Sequence, residues 1–147
     1  STLSNFHNEH GLANSRARIR MTTLYQVAAA NKGIVVGTGN KVEDFGVGFY
    51  TKYGDGGVDI SPIADCNKTE VWQLGKELGI LKEIIEAPPT DGLWDDGRTD
   101  EGQLGFKYED LEDAMKNPGS PHREEYEKIR KQNLHKMDPI PVCKIPS

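Results

Sequence analysis

The glycine-rich segment 37–40 is the first place where this sequence could bind an anion. It reads Gly-Thr-Gly-Asn and follows the apolar run 34–36 directly. Ligands in open α/β sheets bind at the carboxyl ends of strands, where glycine lets backbone N–H groups approach a phosphate. Position 42 is valine and no Gly-Lys-Ser/Thr follows, so neither the dinucleotide fingerprint nor the P-loop is present. Glu43 lies five residues after Thr38, where a carboxylate could bind Mg²⁺ or remain solvated.

A second group of candidate anion-binding residues is basic. Arg16, Arg18 and Arg20 lie in a predicted helix, which places Arg16 and Arg20 on one face and Arg18 roughly opposite. Such a run is either a solvated basic face or a place where a guanidinium grips phosphate or carboxylate in a bidentate fork. Lys68 falls in the first turn of another predicted helix, and helix N-termini attract anions. Because acids are the usual residues there, the lysine favours a binding role.

The block 48–59 combines aromatic rings with charges of both signs. Phe49 could stack on a flat ring, Lys52 could bind an anion, and Asp55 and Asp59 could bind cations or accept protons. A glycine-rich surface turn is the alternative interpretation. The four histidines and two cysteines form no recognisable nucleophile–base pattern.

The elements that would position these groups alternate between helices and short strands, and this order predicts an α/β fold. A buried strand is predicted at 34–36 from an all-apolar β-branched run, and a second short strand at 58–60, which Ser61-Pro62 closes, with a long glycine-rich loop between them. Two such strands cannot form a stable sheet alone, so the chain reads as the C-terminal part of a larger parallel sheet. Helices are predicted from capping signals and apolar spacing at 14–31, 67–78, 108–115 and from Ser120-Pro121 onward.

Composition and charge exclude several classes of protein. The net charge is -5 over 147 residues, and residues 91–113 carry nine acids and two bases, so the rest of the chain is slightly positive. Such a chain is a poor candidate for binding nucleic acid, and no apolar run approaches the roughly 20 residues of a membrane helix. We expect no signal peptide at residues 1–5, and two cysteines indicate reduced thiols in a cytoplasmic protein.

The acidic residues 91–105 form a separate feature. They are rich in glycine, lack the spacing of an EF-hand loop and show no apolar period. We interpret them as a mobile acidic lid, and we keep the name acidic lid for this range.

Taken in chain order, these motifs resemble the NAD⁺ synthetase family. Each motif is weak alone, but the ordered set is specific and covers nearly the whole chain. It consists of 14–21 (NSRARIRM), 37–40 (GTGN) with Glu43, 48–57 (GFYTKYGDGG), Asp59, Pro62, Lys68-Thr69, 87–93 (APPTDGL) and His135-Lys136. The resemblance implies a Rossmann-like parallel sheet of the adenine nucleotide alpha hydrolase, or N-type ATP pyrophosphatase, kind. Residues 1–147 would be the C-terminal portion of that single domain.

The resemblance also implies a reaction and a set of roles. Members join ATP to deamido-NAD, release pyrophosphate from the adenylated carboxylate, and let ammonia displace AMP. Homodimers and Mg²⁺ are implied with it. Carried over position by position, it gives deamido-NAD contacts at Arg18, Phe49, Lys52, Asp59, His135 and Lys136, ATP contacts at Thr38, Lys68 and Thr90, a Mg²⁺ ligand at Glu43, and catalytic roles for Lys68 and for Asp55, which would position or deprotonate ammonia.

Two departures from the family's pattern bear on activity. The pyrophosphatase loop Ser-Gly-Gly-x-Asp-Ser, with its Mg²⁺ carboxylate, is absent from these residues, and Met137 stands where a base is common. We therefore expect the 147-residue chain to be inactive by itself. Two alternatives stay open, which are a non-catalytic nucleotide-binding or dimerisation unit and a related ATP pyrophosphatase that amidates another carboxylate.

Overall fold

The computed structural model describes residues 8–145 and consists mainly of helices. Residues 1–5, on which the signal-peptide expectation rests, lie outside the described residues. No helix within 8–145 has both the length and the hydrophobicity needed to cross a bilayer. The elements, in order, are α1 Glu9–Ala30, a π-helix Val42–Val47, α2 Lys68–Glu77, α3 Lys82–Ile85, α4 Asp100–Leu104, α5 Tyr108–Lys116 and α6 Arg123–Met137.

The two predicted strands are reduced to one isolated bridge. Val36 and Ile60 form a parallel β-bridge, and Gly37 N–H donates to the Ile60 carbonyl at 2.7 Å. The parallel direction agrees with the prediction, but the described residues form no sheet. The two bridging side chains are 51% and 46% exposed, because no further strand or helix covers them here.

Helix α1 begins earlier than the predicted start at 14–15. Asn8 caps it, and its side-chain oxygen accepts a hydrogen bond from Gly11 N–H at 2.8 Å. Glu9 in the first turn suits the positive end of the helix dipole. The sequence prediction missed this start because residues 9–13 (Glu-His-Gly-Leu-Ala) contain a glycine and are too few to show an apolar period.

The loop predicted between the strands contains the π-helix Val42–Val47. The Asn40 side-chain oxygen accepts from Val42 N–H at 3.0 Å and from Glu43 N–H at 3.2 Å, which holds the start of this helix. Val42 and Val47 are fully buried, and their spacing matches the i→i+5 bonding of a π-helix. The loop prediction is wrong here because six residues with this spacing show neither a helical nor a strand period.

Helices α2 and α5 lie close to their predicted positions. Glu70 accepts from Asn67 N–H at 2.7 Å, which is the returning half of the predicted capping box. Helix α6 begins at Arg123 rather than at Ser120-Pro121, because residues 121–122 form a turn instead of the first helical turn.

The acidic lid ends in helix α4. Thr99 caps this helix by accepting from Gly102 N–H at 3.1 Å, and Gly105 ends it with φ of +77°. The prediction of a loop throughout 91–105 is wrong for Asp100–Leu104, because so short a helix leaves no period in the sequence. Mobility of the lid stays a prediction.

The main core joins the π-helix to α5 and α6. Helix α1 packs separately through Ala13 and Ala17 against Leu93, with Trp94 beside them. The main core consists of Val42, Val47, Tyr108, Leu111, Ala114 and Tyr126.

Candidate functional site

Close packing explains the two glycines in the segment 37–40. A Cβ atom on Gly37 would lie 2.9 Å from the Val58 side chain and 3.1 Å from the Ile60 carbonyl oxygen, so the bridge backbone leaves no room for a side chain there. A Cβ atom on Gly39 would overlap the Asp44 carboxylate, which would have to turn aside. Thr38, between the two, is exposed at the end of the Val36 bridge.

A cleft of about 470 Å³ brings together four predicted site residues from separate parts of the chain. Thr38 follows the bridge, Glu43 lies in the π-helix, Lys68 begins α2, and Thr90 precedes the acidic lid. Asp100, which the sequence analysis did not single out, also lines it. We call this space the Lys68 cleft.

Glu43 is held in the Lys68 cleft by three groups. Its Oε1 accepts from the Tyr108 hydroxyl at 2.6 Å and lies 3.7 Å from Lys68 Nζ. Its Oε2 accepts from Asn40 N–H at 3.2 Å. The Glu43 and Lys68 side chains are 15% and 19% exposed, and Lys68 Nζ lies 5.1 Å from the centre of the Tyr108 ring. Partial burial strengthens this pairing and fixes the direction of the carboxylate.

The oxygen atoms of the Lys68 cleft fit a magnesium ion. Asp100 is only 7% exposed, and its Oδ1 has no hydrogen-bond partner among the described residues. Burial, with the charges of Glu43 and Asp91, raises the pKa of Asp100 to about 6. Mg²⁺ prefers carboxylate oxygens and needs only one or two of them when phosphates supply the rest. No group of three or more His, Cys, Asp or Glu within 8–145 is arranged to hold a metal unaided.

A second cleft, of about 890 Å³, adjoins the first. Its lining includes Tyr50, Trp94 and Lys136, and it shares Phe49 and Asp55 with the Lys68 cleft. We call it the Trp94 cleft. Because two predicted site residues line both spaces, a ligand could extend from one cleft into the other past the Asp55 carboxylate.

Asp55 lies where the two clefts meet and is exposed to solvent. Its Oδ1 accepts from Thr51 N–H at 2.8 Å. Desolvation of the carboxyl by the surrounding protein raises the pKa of Asp55, and this effect outweighs the opposing backbone hydrogen bonds and the charge of Lys136. A carboxylate of raised pKa is suited to accept a proton from a nitrogen nucleophile.

Two predicted dinucleotide-binding lysines are engaged with the backbone. Lys136 Nζ donates to the carbonyls of Gly48 and Tyr50, each at 2.8 Å, and burial lowers the pKa of Lys136. Lys52 Nζ donates to the His135 carbonyl at 2.5 Å. These bonds attach the end of α6 to the block 48–59.

Three other predicted residues lie outside both clefts. Arg18 Nε donates to the Lys52 carbonyl at 3.2 Å, and His135 Nδ1 lies 3.1 Å from the Gln132 carbonyl. Asp59 Oδ2 accepts from Val35 N–H at 2.7 Å. The structure therefore gives Asp59 a role in supporting the bridge backbone.

The helical spacing of the arginines is confirmed. Arg16 and Arg20 share a face, and that face contacts the acidic lid. Arg16 donates to the Leu93 carbonyl at 2.6 Å, and Arg20 donates to the Gly92 carbonyl at 2.8 Å. Arg16 also pairs with the exposed Asp95 at 3.4 Å. These two arginines hold the lid against α1.

Sequence reasoning missed two residues of the Lys68 cleft. Tyr108 was interpreted only as an apolar position of α5, although its hydroxyl contacts Glu43. Asp100 was one acid among many in the region 91–113. Thr99 before Asp100 is a good helix cap and could have signalled the start of α4, but no local signal places Asp100 beside Glu43.

A cleft in which lysine, hydroxyls and carboxylates converge beside a glycine-rich turn is typical of a nucleotide-handling protein. The comparisons with known proteins are more specific. The family model described as NAD synthase matches residues 2–144. The chain therefore belongs to the NAD synthase family.

Relatives agree with this assignment. The NH(3)-dependent NAD(+) synthetase of Alkaliphilus oremlandii is 43% identical over 135 residues, which are 90% of this chain and 53% of the relative. That of Carboxydothermus hydrogenoformans is 50% identical over 101 residues, which are 69% of this chain and 41% of the relative. The chain thus spans about half the length of the curated relatives it matches.

Two solved structures resemble this one. NMN synthetase from Francisella tularensis superposes with a TM-score of 0.88 at 32% identity, over 98% of this chain and 60% of that one. The NH3-dependent NAD synthetase from Campylobacter jejuni, in complex with the nitrate ion, gives a TM-score of 0.68 at 26% identity, over 94% of this chain and 57% of that one.

Proposed function

We propose that this chain supplies the C-terminal part of the site of an ammonia-dependent NAD synthetase. The observation that carries the proposal is the Lys68 cleft, which collects Thr38, Glu43, Lys68 and Thr90 from four separate segments. The reaction is the ATP-dependent amidation of deamido-NAD. A carboxylate oxygen of the substrate attacks the α-phosphorus of ATP and releases pyrophosphate. Ammonia then attacks the acyl carbon, AMP leaves, and one proton is lost.

The Lys68 cleft would bind the ATP phosphates. Lys68 provides a cation, and Thr38 and Thr90 provide hydroxyl donors. Glu43, held by Tyr108 at 2.6 Å, would be a Mg²⁺ ligand, and the ion would neutralise phosphate charge as it develops. Fixed cations in a space that excludes water stabilise such charge more strongly than they do in solution.

The Trp94 cleft and its borders would bind deamido-NAD. Phe49 offers a ring for stacking, and Asp55, with its raised pKa, would hold ammonia or accept its proton. Four further contacts carried over from the family require movement or a second element, because their side chains bond to backbone here or lie outside the clefts. They are Arg18, Lys52, His135 and Lys136. Asp59 belongs to the same proposed set.

The fold proposal is a parallel sheet of the adenine nucleotide alpha hydrolase kind, of which residues 1–147 form the C-terminal portion of one domain. The half-exposed bridge of Val36 and Ile60 and the length of the relatives support it. The acidic lid would order over the adenylate and exclude water. Without the pyrophosphatase loop, we expect the chain alone to be inactive.

We also propose that the working protein is a cytoplasmic homodimer. Ile19, Leu24 and Val27 of α1 are 64%, 55% and 54% exposed, which leaves an apolar face for a second subunit. The two cysteines, Cys66 and Cys143, are unpaired, in keeping with a reducing compartment.

A second candidate function is synthesis of the mononucleotide NMN. It is favoured by one observation, the TM-score of 0.88 to the Francisella enzyme against 0.68 to the Campylobacter one. Identities of 43% and 50% to named NAD synthetases favour the dinucleotide instead.

An activity assay separates these possibilities. The chain is tested alone, and also in place of the matching segment of the Alkaliphilus relative, for AMP formed from ATP, ammonia, Mg²⁺ and either deamidated nucleotide. We expect no AMP from the chain alone and AMP from the hybrid with deamido-NAD. AMP from the chain alone would overturn the expected inactivity, and AMP only with the deamidated mononucleotide would favour the second candidate. A folded hybrid that is inactive with both substrates would contradict the proposal.

A further inference from the structure

Asp100 has a buried oxygen that the protein leaves unpaired. The residue is 7% exposed and lines the Lys68 cleft. Its Oδ2 lies 3.3 Å from the Tyr108 hydroxyl, while Oδ1 has no hydrogen-bond partner among residues 8–145. A buried polar atom without a partner destabilises the folded state. At the wall of a binding cleft, such an atom points to a ligand for that oxygen.

The backbone around Asp100 is fixed, so its side chain has a defined direction. Asp100 N–H donates to the Pro89 carbonyl at 2.9 Å, which places the residue beside Thr90. Thr99 caps helix α4 just before it. The first turn of α4 therefore holds the Asp100 carboxylate at the Lys68 cleft.

Tyr108 brings Asp100 and Glu43 to one point. The phenol oxygen lies 2.6 Å from Glu43 Oε1 and 3.3 Å from Asp100 Oδ2. The Tyr108 side chain is fully buried in the main core, so it is a rigid support. The carboxylates of Glu43 and Asp100 thus lie on the same hydroxyl group, and Lys68 Nζ lies 3.7 Å from Glu43 Oε1. The negative charge is not fully neutralised.

We propose that Asp100 is a second carboxylate ligand of the divalent cation that Glu43 binds, and that Tyr108 positions both. The inference rests on the proposed function, which places Mg²⁺ at Glu43. Magnesium is commonly bound by one or two carboxylates plus phosphates, and the unpaired Oδ1 of Asp100 supplies the second. Because Asp100 begins α4, the cation would connect the acidic lid directly to the π-helix.

Binding of Mn²⁺ alone to the 147-residue chain tests the inference. The free ion is counted by electron paramagnetic resonance, with no nucleotide present. We expect Asp100→Asn and Glu43→Gln each to weaken binding at least about tenfold, and Tyr108→Phe to weaken it less. Asp113→Asn is the matched control, because Asp113 is exposed on α5 and its loss changes the net charge equally. The control should bind as the wild type does.

Three other results of the Mn²⁺ titration would overturn the inference. Unchanged binding in Asp100→Asn with loss in Glu43→Gln would overturn this inference and leave Glu43 as a cation ligand. No binding of millimolar Mn²⁺ by the wild-type chain, or an equal loss in Asp113→Asn, would also overturn it. Neither of those results decides the ATP-dependent reaction, which the hybrid assay measures. Circular dichroism checks folding, and Asp100→Ser repeats the test with a smaller side chain.

Discussion

The main core buries its apolar side chains, whereas the surface around the β-bridge leaves its apolar side chains exposed. Val47 and Leu111 of the core are fully buried, whereas Val36 of the bridge is 51% exposed and Ile34, two residues before it, is 58% exposed. Burying an aliphatic side chain contributes roughly 1.5–3 kcal/mol. The first region is therefore complete in the described residues, while the second presents a surface suited to covering by further chain or another subunit.

The main core and the bridge also differ in the hydrogen bonds that side chains make to their backbone. Side chains of α6 donate to consecutive carbonyls at the end of the π-helix. Arg130 donates to Phe45 and Gly46, and Asn133 donates to Val47 at 3.0 Å. These bonds satisfy carbonyls that a short helix leaves free. Among the described residues, side-chain support for the bridge backbone is limited to Asp59 Oδ2, which accepts from Val35 N–H at 2.7 Å.

The largest expected effect comes from truncating the core. Leu111→Ala should lower the free energy of unfolding by about 3 kcal/mol or more, because it leaves a cavity among fully buried neighbours. Ile34→Ala, at a 58% exposed position beside the bridge, should change it by less than about 1 kcal/mol. Urea unfolding followed by circular dichroism measures both. Equal losses would show that the core and the bridge surface are equally well packed.

A smaller effect should appear as a dependence on pH at Asp100. Its folded pKa of about 6 exceeds the ordinary value of 3.8, so protonation favours the folded state. The associated stability is fully present below about pH 4 and is lost as pH rises through about 6. Asp100→Asn should match the wild type at low pH and exceed it by about 2 kcal/mol at neutral pH.

That pH dependence is measured by urea unfolding with a chelator present, so that no divalent cation binds. A stability difference between the two chains that does not change with pH would show that the Asp100 carboxyl titrates normally. The exposed Asp113→Asn variant, which keeps Asp100, is the control for the loss of one negative charge.

The capping box of α2 should contribute about 1 kcal/mol. Glu70 accepts from Asn67 N–H at 2.7 Å, and Glu70→Ala leaves that donor without its partner. Glu77→Ala, at the other end of the same helix, is the control and should have no destabilising effect. Thermal unfolding compares them, and similar midpoints for both variants would contradict the assigned cap.

The smallest effect in the chain alone is expected at the bridge. Val36→Thr keeps the branched shape but removes an apolar methyl group at a half-exposed position, so the free energy of unfolding should change by less than about 0.5 kcal/mol. In the hybrid with the Alkaliphilus relative, the same change should lower the unfolding midpoint clearly. An equally small effect in the hybrid would mean that no further strand covers Val36.

Local signals in the sequence predicted much of the fold. The capping box at Asn67 and the apolar spacing of α5 depend on neighbouring residues, and both were confirmed. The start of α1 and the π-helix could not be predicted, because neither has an apolar period. The strand at 34–36 was predicted from an apolar run and a second short strand was predicted at 58–60, but pairing depends on residues distant in the chain, and only one bridge forms among the described residues.

Residue types and order also predicted much of the candidate site. Thr38, Glu43, Lys68 and Thr90 meet in one cleft, although no motif joins them. Asp100 and Tyr108 could not be found this way, because their place beside Glu43 follows from the tertiary packing of α4 and α5. The roles given to all of these residues remain proposals.

The central claim is that the Lys68 cleft binds the phosphates of ATP. Calorimetric titration of Mg²⁺–ATP into the chain tests it most directly, with Lys68→Ala compared to Lys76→Ala, since Lys76 is exposed on the same helix. We expect Lys68→Ala to weaken ATP binding at least about tenfold, or about 1.4 kcal/mol, and Lys76→Ala to bind as the wild type does. Equal affinities for Lys68→Ala and the wild type, or no ATP binding by the wild-type chain, would contradict it.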